Sequence, residues 1–174
     1  TDYSETLYLE YWFGKAAADK YLQGLRTKIL NDKPVIGIYG VNNEGSKDMY
    51  YKGANIIHTI RQCINNDEKF RQILRGLNKT FYHQTVNTQQ IENYISKQSG
   101  IDFSKFFDQY LRTAQIPTLL WSVNNGKVSV QFTNCIKGFK MPLQIPVAKA
   151  KYAVLKVEGN KPIEIATSLS SEEI

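Results

Sequence analysis

Residues 116–132, IPTLLWSVNNGKVSVQF, mark the point at which the hydrophobic pattern of this chain changes. Apolar and polar side chains alternate on both sides of Asn124-Asn125-Gly126. An Asn-Gly pair between two alternating segments is typical of a tight β-hairpin turn. The stretch therefore predicts two antiparallel strands.

The alternation continues beyond this hairpin. Residues 141–147 form another predicted strand, and the two prolines within it indicate the edge of a sheet. Residues 152–157 and 163–165 are separated by a Glu-Gly-Asn turn, which we interpret as a further hairpin. Residues 116–174 are therefore expected to form antiparallel sheet.

The chain before this point has the period of α-helices. Apolar residues recur every three or four positions in residues 21–29, 53–64 and 70–77. Asn87 is followed three residues later by Gln90, the pattern of a capping box at a helix start. The sequence thus predicts an α+β protein in two parts, with residues 1–115 helical and residues 116–174 antiparallel sheet.

Composition narrows the classes of function. The chain has 174 residues, of which 42% are hydrophobic, and 22 Lys and Arg against 16 Asp and Glu give a net charge of +6. The cations are spread singly or in pairs among acidic residues, so we expect no nucleic-acid binding despite the positive charge. No apolar run approaches the roughly 20 residues of a membrane-spanning helix.

The sequence contains few groups for metal or nucleophilic chemistry. A zinc site needs three or four ligands, whereas the only two histidines, His58 and His83, lie far apart and outside any H-E-x-x-H motif. Cys63 falls on the apolar stripe of its helix and Cys135 is distant from it, which favours unpaired thiols. We therefore expect no metal ligands within this chain.

The segment Tyr50-Tyr51-Lys52-Gly53-Ala54 is the strongest candidate for a site. A tyrosine hydroxyl at the start of a helix can donate a hydrogen bond to a developing oxyanion. Taken alone, the same residues are more typical of aromatic side chains that cap a packed helix.

Three segments, in order and spacing, resemble the gluzincin zinc aminopeptidases, the family of aminopeptidase N and leukotriene A hydrolase. Tyr50-x-Lys52-Gly53 resembles the family's Y-x-K-G motif. Residues 2–11, DYSETLYLEY, resemble the helix that follows the family's third zinc ligand. Residues 106–119, FFDQYLRTAQIPTL, resemble the end of its catalytic domain.

The resemblance implies roles for four residues. Tyr50 corresponds to the catalytic tyrosine, which stabilises the tetrahedral oxyanion formed when zinc-activated water attacks a peptide bond. Glu5 corresponds to an acidic residue that at most orients a zinc ligand and does not itself contact the zinc. Lys52 and Gly53 are motif members, and their expected work is packing and positioning. The implied substrate is a peptide with a free N-terminus, although epoxide hydrolysis also occurs in the family.

The resemblance also implies that this chain is a fragment. The H-E-x-x-H helix, the third zinc ligand and the G-x-M-E-N strand of the family would all precede Thr1. Residues 1–115 would then be the C-terminal helical part of a thermolysin-like catalytic domain, and residues 116–174 the start of a β-sandwich domain. The zinc cofactor would belong to the parent protein, and this chain alone would be inactive.

Two further expectations follow from that implied arrangement. Helix faces that pack against absent helices in the parent enzyme would be exposed, so the fragment is expected to self-associate. The alternative to an enzyme is a non-catalytic relative in which the same scaffold serves protein–protein interaction. Tyr50 argues mildly against the scaffold, which has no need for a hydroxyl group at that position.

Overall fold

The computed structural model describes residues 2–42 and 44–173, and it confirms the predicted α+β class. Helices occupy the first part and strands the second. The helices are α1 (Asp2–Phe13), α2 (Lys15–Leu25), α3 (Tyr51–Ile64), α4 (Asp67–Thr80), α5 (Thr88–Ser99) and α6 (Ser104–Arg112), and the strands are β1 (Thr118–Asn124), β2 (Lys127–Thr133), β3 (Lys140–Ala148), β4 (Lys151–Glu158) and β5 (Ile163–Ala166). None of the described helices is long and apolar enough to cross a membrane.

The chain divides into two compact units. The first contains the chain up to Asp102 together with Tyr110–Ala114, and the second contains Phe103–Gln109 together with the chain from Gln115 onward. Helix α6 contributes residues to both units because the division falls within it. The assignment of a catalytic-domain part ending at residue 115 stays a prediction.

The helical unit is built around a core supplied by four helices. Its buried members are Tyr3 from α1, Leu22 and Leu25 from α2, Ala54 from α3 and Phe70 from α4. Apart from Tyr3, these positions lie in the sequence segments with helical period, in which residues three or four apart share one face of a helix. Burial of these stripes holds α3, which carries the Y-x-K-G segment, against α1 and α2.

Local signals set the helix ends. Asn87 and Gln90 form the expected capping box at the start of α5, with each side chain bonded to the other residue's backbone N–H at 3.0 and 2.9 Å. Helix α3 ends at Asn65, whose φ of 49° is left-handed, and the next residue, Asn66, caps α4 through its side chain. Left-handed Asn is a common way to stop a helix.

The hairpin predicted from residues 116–132 is confirmed. Strands β1 and β2 pair antiparallel from Thr118↔Thr133 to Asn124↔Lys127. The connection is Asn125-Gly126, with φ of 49° and 70°. Two successive positive φ angles define the turn that matches strand twist, and Asn-Gly adopts them at low cost.

The second hairpin prediction was wrong. Strand β5 does not pair with β4: it pairs antiparallel with β2, with Val128 opposite Ile165, while β4 pairs with β3. The sheet orders are β1-β2-β5 and β3-β4. The Glu-Gly-Asn segment connects β4 in one sheet to β5 in the other. Within it, the N–H of Asn160 bonds to the carbonyl of Phe132 on β2 at 2.7 Å, which directs the chain toward β2.

The core of the second unit combines α6 with the sheets. Phe103, Phe106 and Phe107 pack edge to face, with ring centroids 5.4–6.1 Å apart. Gln109 is fully buried, and its amide donates to the carbonyl of Gln115 and accepts from the N–H of Ile136, each at 2.8 Å. Because both amide groups of this buried side chain are bonded, Gln109 links α6 to the backbone just before β1 and just after β2.

Candidate active site

Tyr50 lies where a 3₁₀ turn, Lys47–Met49, meets the first residue of α3. Its N–H donates to the carbonyl of Lys47 at 3.2 Å, and its carbonyl accepts the N–H of Ala54 at 2.9 Å. The side chain is half exposed, and its hydroxyl has no hydrogen-bond partner among the described residues. The half-exposed side chain is therefore accessible to a group that approaches from solvent.

The turn that precedes Tyr50 is fixed by two buried polar residues. The carboxylate of Asp48 accepts the N–H of Leu30 at 2.9 Å and that of Asn31 at 2.7 Å. Ser46 Oγ accepts the N–H of Asp48 at 3.1 Å and donates to Asp32 at 2.7 Å. These bonds attach the turn before α3 to residues 30–32, near the beginning of the irregular segment that follows α2.

Lys52 is buried in the first turn of α3, with a residue exposure of 4%. Its Nζ lacks a hydrogen-bond acceptor in the part of the chain that the structure describes. Burial lowers the pKa of Lys52, and the negative charge of Asp48 opposes that shift. A buried ammonium without hydrogen bonds is costly, and such groups occur preferentially at functional sites.

Gly53 lies one helical turn beyond Tyr50 on α3. A Cβ placed on Gly53 would have no neighbour within 4 Å among the described residues, so the packing role expected from the sequence finds no contact here. Glycine inside a helix costs about 1 kcal/mol relative to alanine. The bare backbone therefore leaves open space on the side of the helix that also carries Tyr50.

Glu5 lies on α1 and is exposed. Its carboxylate accepts a hydrogen bond from the hydroxyl of Tyr21 on α2, which raises the pKa of Tyr21 to about 12. Among the described residues, no hydrogen bond or ion pair joins Glu5 to Tyr50 or Lys52. The structure thus places Tyr50, Lys52 and Gly53 together in one helical turn and places Glu5 separately.

The residues present do not form a donor set for zinc. Nowhere in residues 2–42 and 44–173 do three His, Cys, Asp or Glu side chains lie together as metal ligands. His58 Nδ1 lies 3.3 Å from the hydroxyl of Tyr3, and burial lowers its pKa. Burial also raises the pKa of Cys63 to about 12, which keeps that thiol protonated. No step of a reaction is assigned to zinc on this chain.

Sequence reasoning missed a buried cation that joins three helices. Arg61 of α3 forms bidentate bonds to Glu10 of α1, with one at 2.7 Å, and to Asp67 of α4, with both at 2.7 Å. It is 4% exposed, and its guanidinium lies 5.9 Å from the ring centroid of Phe70. No sequence signal distinguishes Arg61 from a surface arginine, because its partners come from other helices.

Comparison with known proteins supports the fold alone. No family model matches the chain, and no curated protein matches its sequence. Among solved structures, the chain is similar to the crystal structure of Legionella pneumophila aminopeptidase A in complex with aspartic acid, with a TM-score of 0.58 and 13% identity. The match covers 94% of this chain and 20% of that chain, so this chain spans about a fifth of that protein. The fold is therefore aminopeptidase-like.

Proposed function

We propose that residues 1–174 are part of a zinc-dependent aminopeptidase and that Tyr50 acts in it as an electrophilic catalyst. The supporting observation is the position of Tyr50: a half-exposed side chain at a helix start, whose hydroxyl has no hydrogen-bond partner among the described residues, within an aminopeptidase-like fold. The resemblance assigns the catalytic tyrosine to this residue. In this proposal the zinc is held by residues outside 1–174.

The role of Tyr50 is to donate a hydrogen bond. When a peptide carbonyl becomes tetrahedral, its oxygen gains negative charge, and a phenolic O–H pointing at that oxygen stabilises the transition state more than the substrate. The proton stays on Tyr50 throughout. Among the described residues the hydroxyl has no partner to give up, so this contact exchanges a hydrogen bond to water for one to the substrate.

We expect the full-length protein to hydrolyse aminoacyl chromogenic substrates and residues 1–174 alone to be inactive. N-acetylation of the substrate should slow hydrolysis about 10- to 100-fold, because it removes the charged amino group that an aminopeptidase binds. Steady-state rates for the free and acetylated forms of one substrate measure this difference. Equal rates for the two forms would contradict an aminopeptidase.

We further propose that residues 1–174 alone associate through an aromatic patch on α1. The patch consists of Tyr8, Tyr11, Trp12 and Phe13, which are between 60% and 80% exposed. The rings of Tyr11 and Trp12 are in edge-to-face contact at 5.0 Å. Contiguous exposed aromatic surface of this kind is characteristic of interfaces. In the proposed enzyme, other parts of the catalytic domain cover it.

Replacing Trp12 and Phe13 together with serine should shift residues 1–174 from oligomer to monomer, because it removes two of the four side chains of the aromatic patch. Sedimentation velocity across a concentration series measures this change. Tyr152→Ser is the matched control, since Tyr152 is 63% exposed on β4 and should leave association unchanged. A wild-type chain that remains monomeric at high concentration would contradict the proposal.

A further inference from the structure

The segment between α2 and Tyr50 lacks regular structure over most of its length. From Ile29 to Gly45 the described residues form neither helix nor strand. A segment of this length has many conformations, and fixing its end requires specific contacts. Those contacts determine where the backbone of Tyr50 lies.

Asp48 makes the central contact. It is 1% exposed, and its two oxygens accept different backbone N–H groups, Oδ1 from Leu30 and Oδ2 from Asn31. Because both oxygens are used, the carboxylate cannot rotate without losing a bond. An asparagine at this position could accept only one of them, since its amide nitrogen is a donor.

Ser46 also attaches this turn to the preceding segment. It is fully buried, its N–H donates to the carbonyl of Pro34 at 3.1 Å, and its hydroxyl links Asp32 to the N–H of Asp48. The carbonyl of Ser46 then accepts the N–H of Met49 at 3.1 Å. The 3₁₀ turn that precedes Tyr50 is therefore attached to the preceding segment at its N-cap, Ser46, and at its middle residue, Asp48.

Tyr50 depends on this turn because its hydroxyl makes no hydrogen bond of its own with the described residues. The only hydrogen bonds found for Tyr50 in this part of the chain are those of its backbone, to Lys47 and Ala54. The point from which the Tyr50 side chain extends is thus set by the backbone, and the bonds of Asp48 and Ser46 hold that backbone.

We propose that Asp48 is a positioning residue for Tyr50, acting through the turn that joins them. This inference rests on the proposed function, in which Tyr50 contacts the reacting carbonyl. Loosening the turn displaces the hydroxyl, and a displacement of about 1 Å at a reacting group can cost about 100-fold in rate.

A double-mutant cycle in the full-length protein tests the proposal. Asp48→Asn, Tyr50→Phe and the combined variant are compared by kcat and KM. We expect Asp48→Asn to lower kcat about 10- to 100-fold with little change in KM, since substrate binding is retained. In the Tyr50→Phe background it should have almost no further effect, because the hydroxyl that it positions is absent.

Two additional variants separate positioning from loss of stability. Glu92→Gln removes the charge of a buried carboxylate on α5, which bonds to the partly exposed Arg112 of α6 at 2.7 and 3.2 Å. It should lower the melting temperature but leave kcat unchanged. Ser46→Ala is a milder change within the connection. If Asp48→Asn does not fold, Ser46→Ala should still lower kcat several-fold, and only when Tyr50 is present.

The outcomes distinguish this inference from the proposed function. An equal loss of kcat from Asp48→Asn with and without the Tyr50 hydroxyl, or no loss at all, would overturn the positioning role and leave the function intact. The Ser46→Ala result is read in the same way. An unchanged kcat in Tyr50→Phe alone would overturn both, since Tyr50 would then have no hydroxyl function to position.

Discussion

Replacement of Tyr50 with phenylalanine in the full-length protein should lower kcat about 10²–10³-fold, the usual cost of losing one oxyanion donor. Phenylalanine keeps the ring and removes only the hydroxyl. Since this hydroxyl has no hydrogen-bond partner in the described chain, its removal leaves no group unsatisfied. The stability of the protein and its metal content should therefore remain unchanged.

Tyr51→Phe is the matched control for that variant. Tyr51 is the next residue in the chain and packs against the helical core. The centroid of its ring lies 5.1 Å from the ammonium nitrogen of Lys28. Its replacement should leave kcat close to that of the wild type. Wild-type turnover in Tyr50→Phe would remove the proposed role of Tyr50, and an equal loss in both variants would show that the effect is not specific.

Replacement of Arg61 with methionine should destabilise the helical unit by about 2–4 kcal/mol. The guanidinium is buried, and its loss leaves the carboxylates of Glu10 and Asp67 without their partner. The expected loss of stability is smaller than for a fully buried pair, because Asp67 is half exposed and its carboxylate can be solvated. Urea denaturation of residues 1–174 at low protein concentration measures the change in the free energy of unfolding.

Arg61→Lys is the control, because an ammonium keeps the charge but cannot form bidentate bonds to both carboxylates. It should lose less stability than Arg61→Met. Adding Glu10→Gln to Arg61→Met should restore part of the loss, since the unpaired carboxylate is then neutral. Arg61→Met with wild-type stability would contradict a structural role for this cation.

The difference in stability between the wild type and Arg61→Met should depend on pH. Hydrogen bonds from Arg61 lower the pKa values of Glu10 and Asp67 in the folded protein. A carboxyl whose pKa is lowered on folding adds stability above its unfolded pKa, and that stability is lost as the pH falls through the folded value. The advantage of the wild type over Arg61→Met should thus be complete near pH 7 and shrink below about pH 4.

The elements that follow from local chemistry could be predicted from the sequence. Asn125-Gly126 determines its own turn, and Asn87 with Gln90 determines a helix start, because all the interacting atoms lie within four residues. The partner of β5 could not be predicted in this way. Strand pairing with β2 depends on contacts across about 35 residues, and an adjacent turn gives no information about them.

The site was predictable only in part for a similar reason. Tyr50, Lys52 and Gly53 are adjacent in sequence and necessarily share a helix turn. Asp48 and Arg61 were not identified, since the partners of their side chains lie 17 or more residues away except for Asp67, and charged side chains are mostly exposed. Burial of these two residues becomes visible only once the helices are assembled.

The most direct test of the central claim is to measure zinc content and aminoacyl hydrolysis on one preparation of the full-length protein. An aminopeptidase of the proposed kind should contain about one zinc per chain and lose its hydrolysis when a chelator removes that zinc. A full-length protein with neither zinc nor hydrolysis would contradict the claim and favour the non-catalytic alternative.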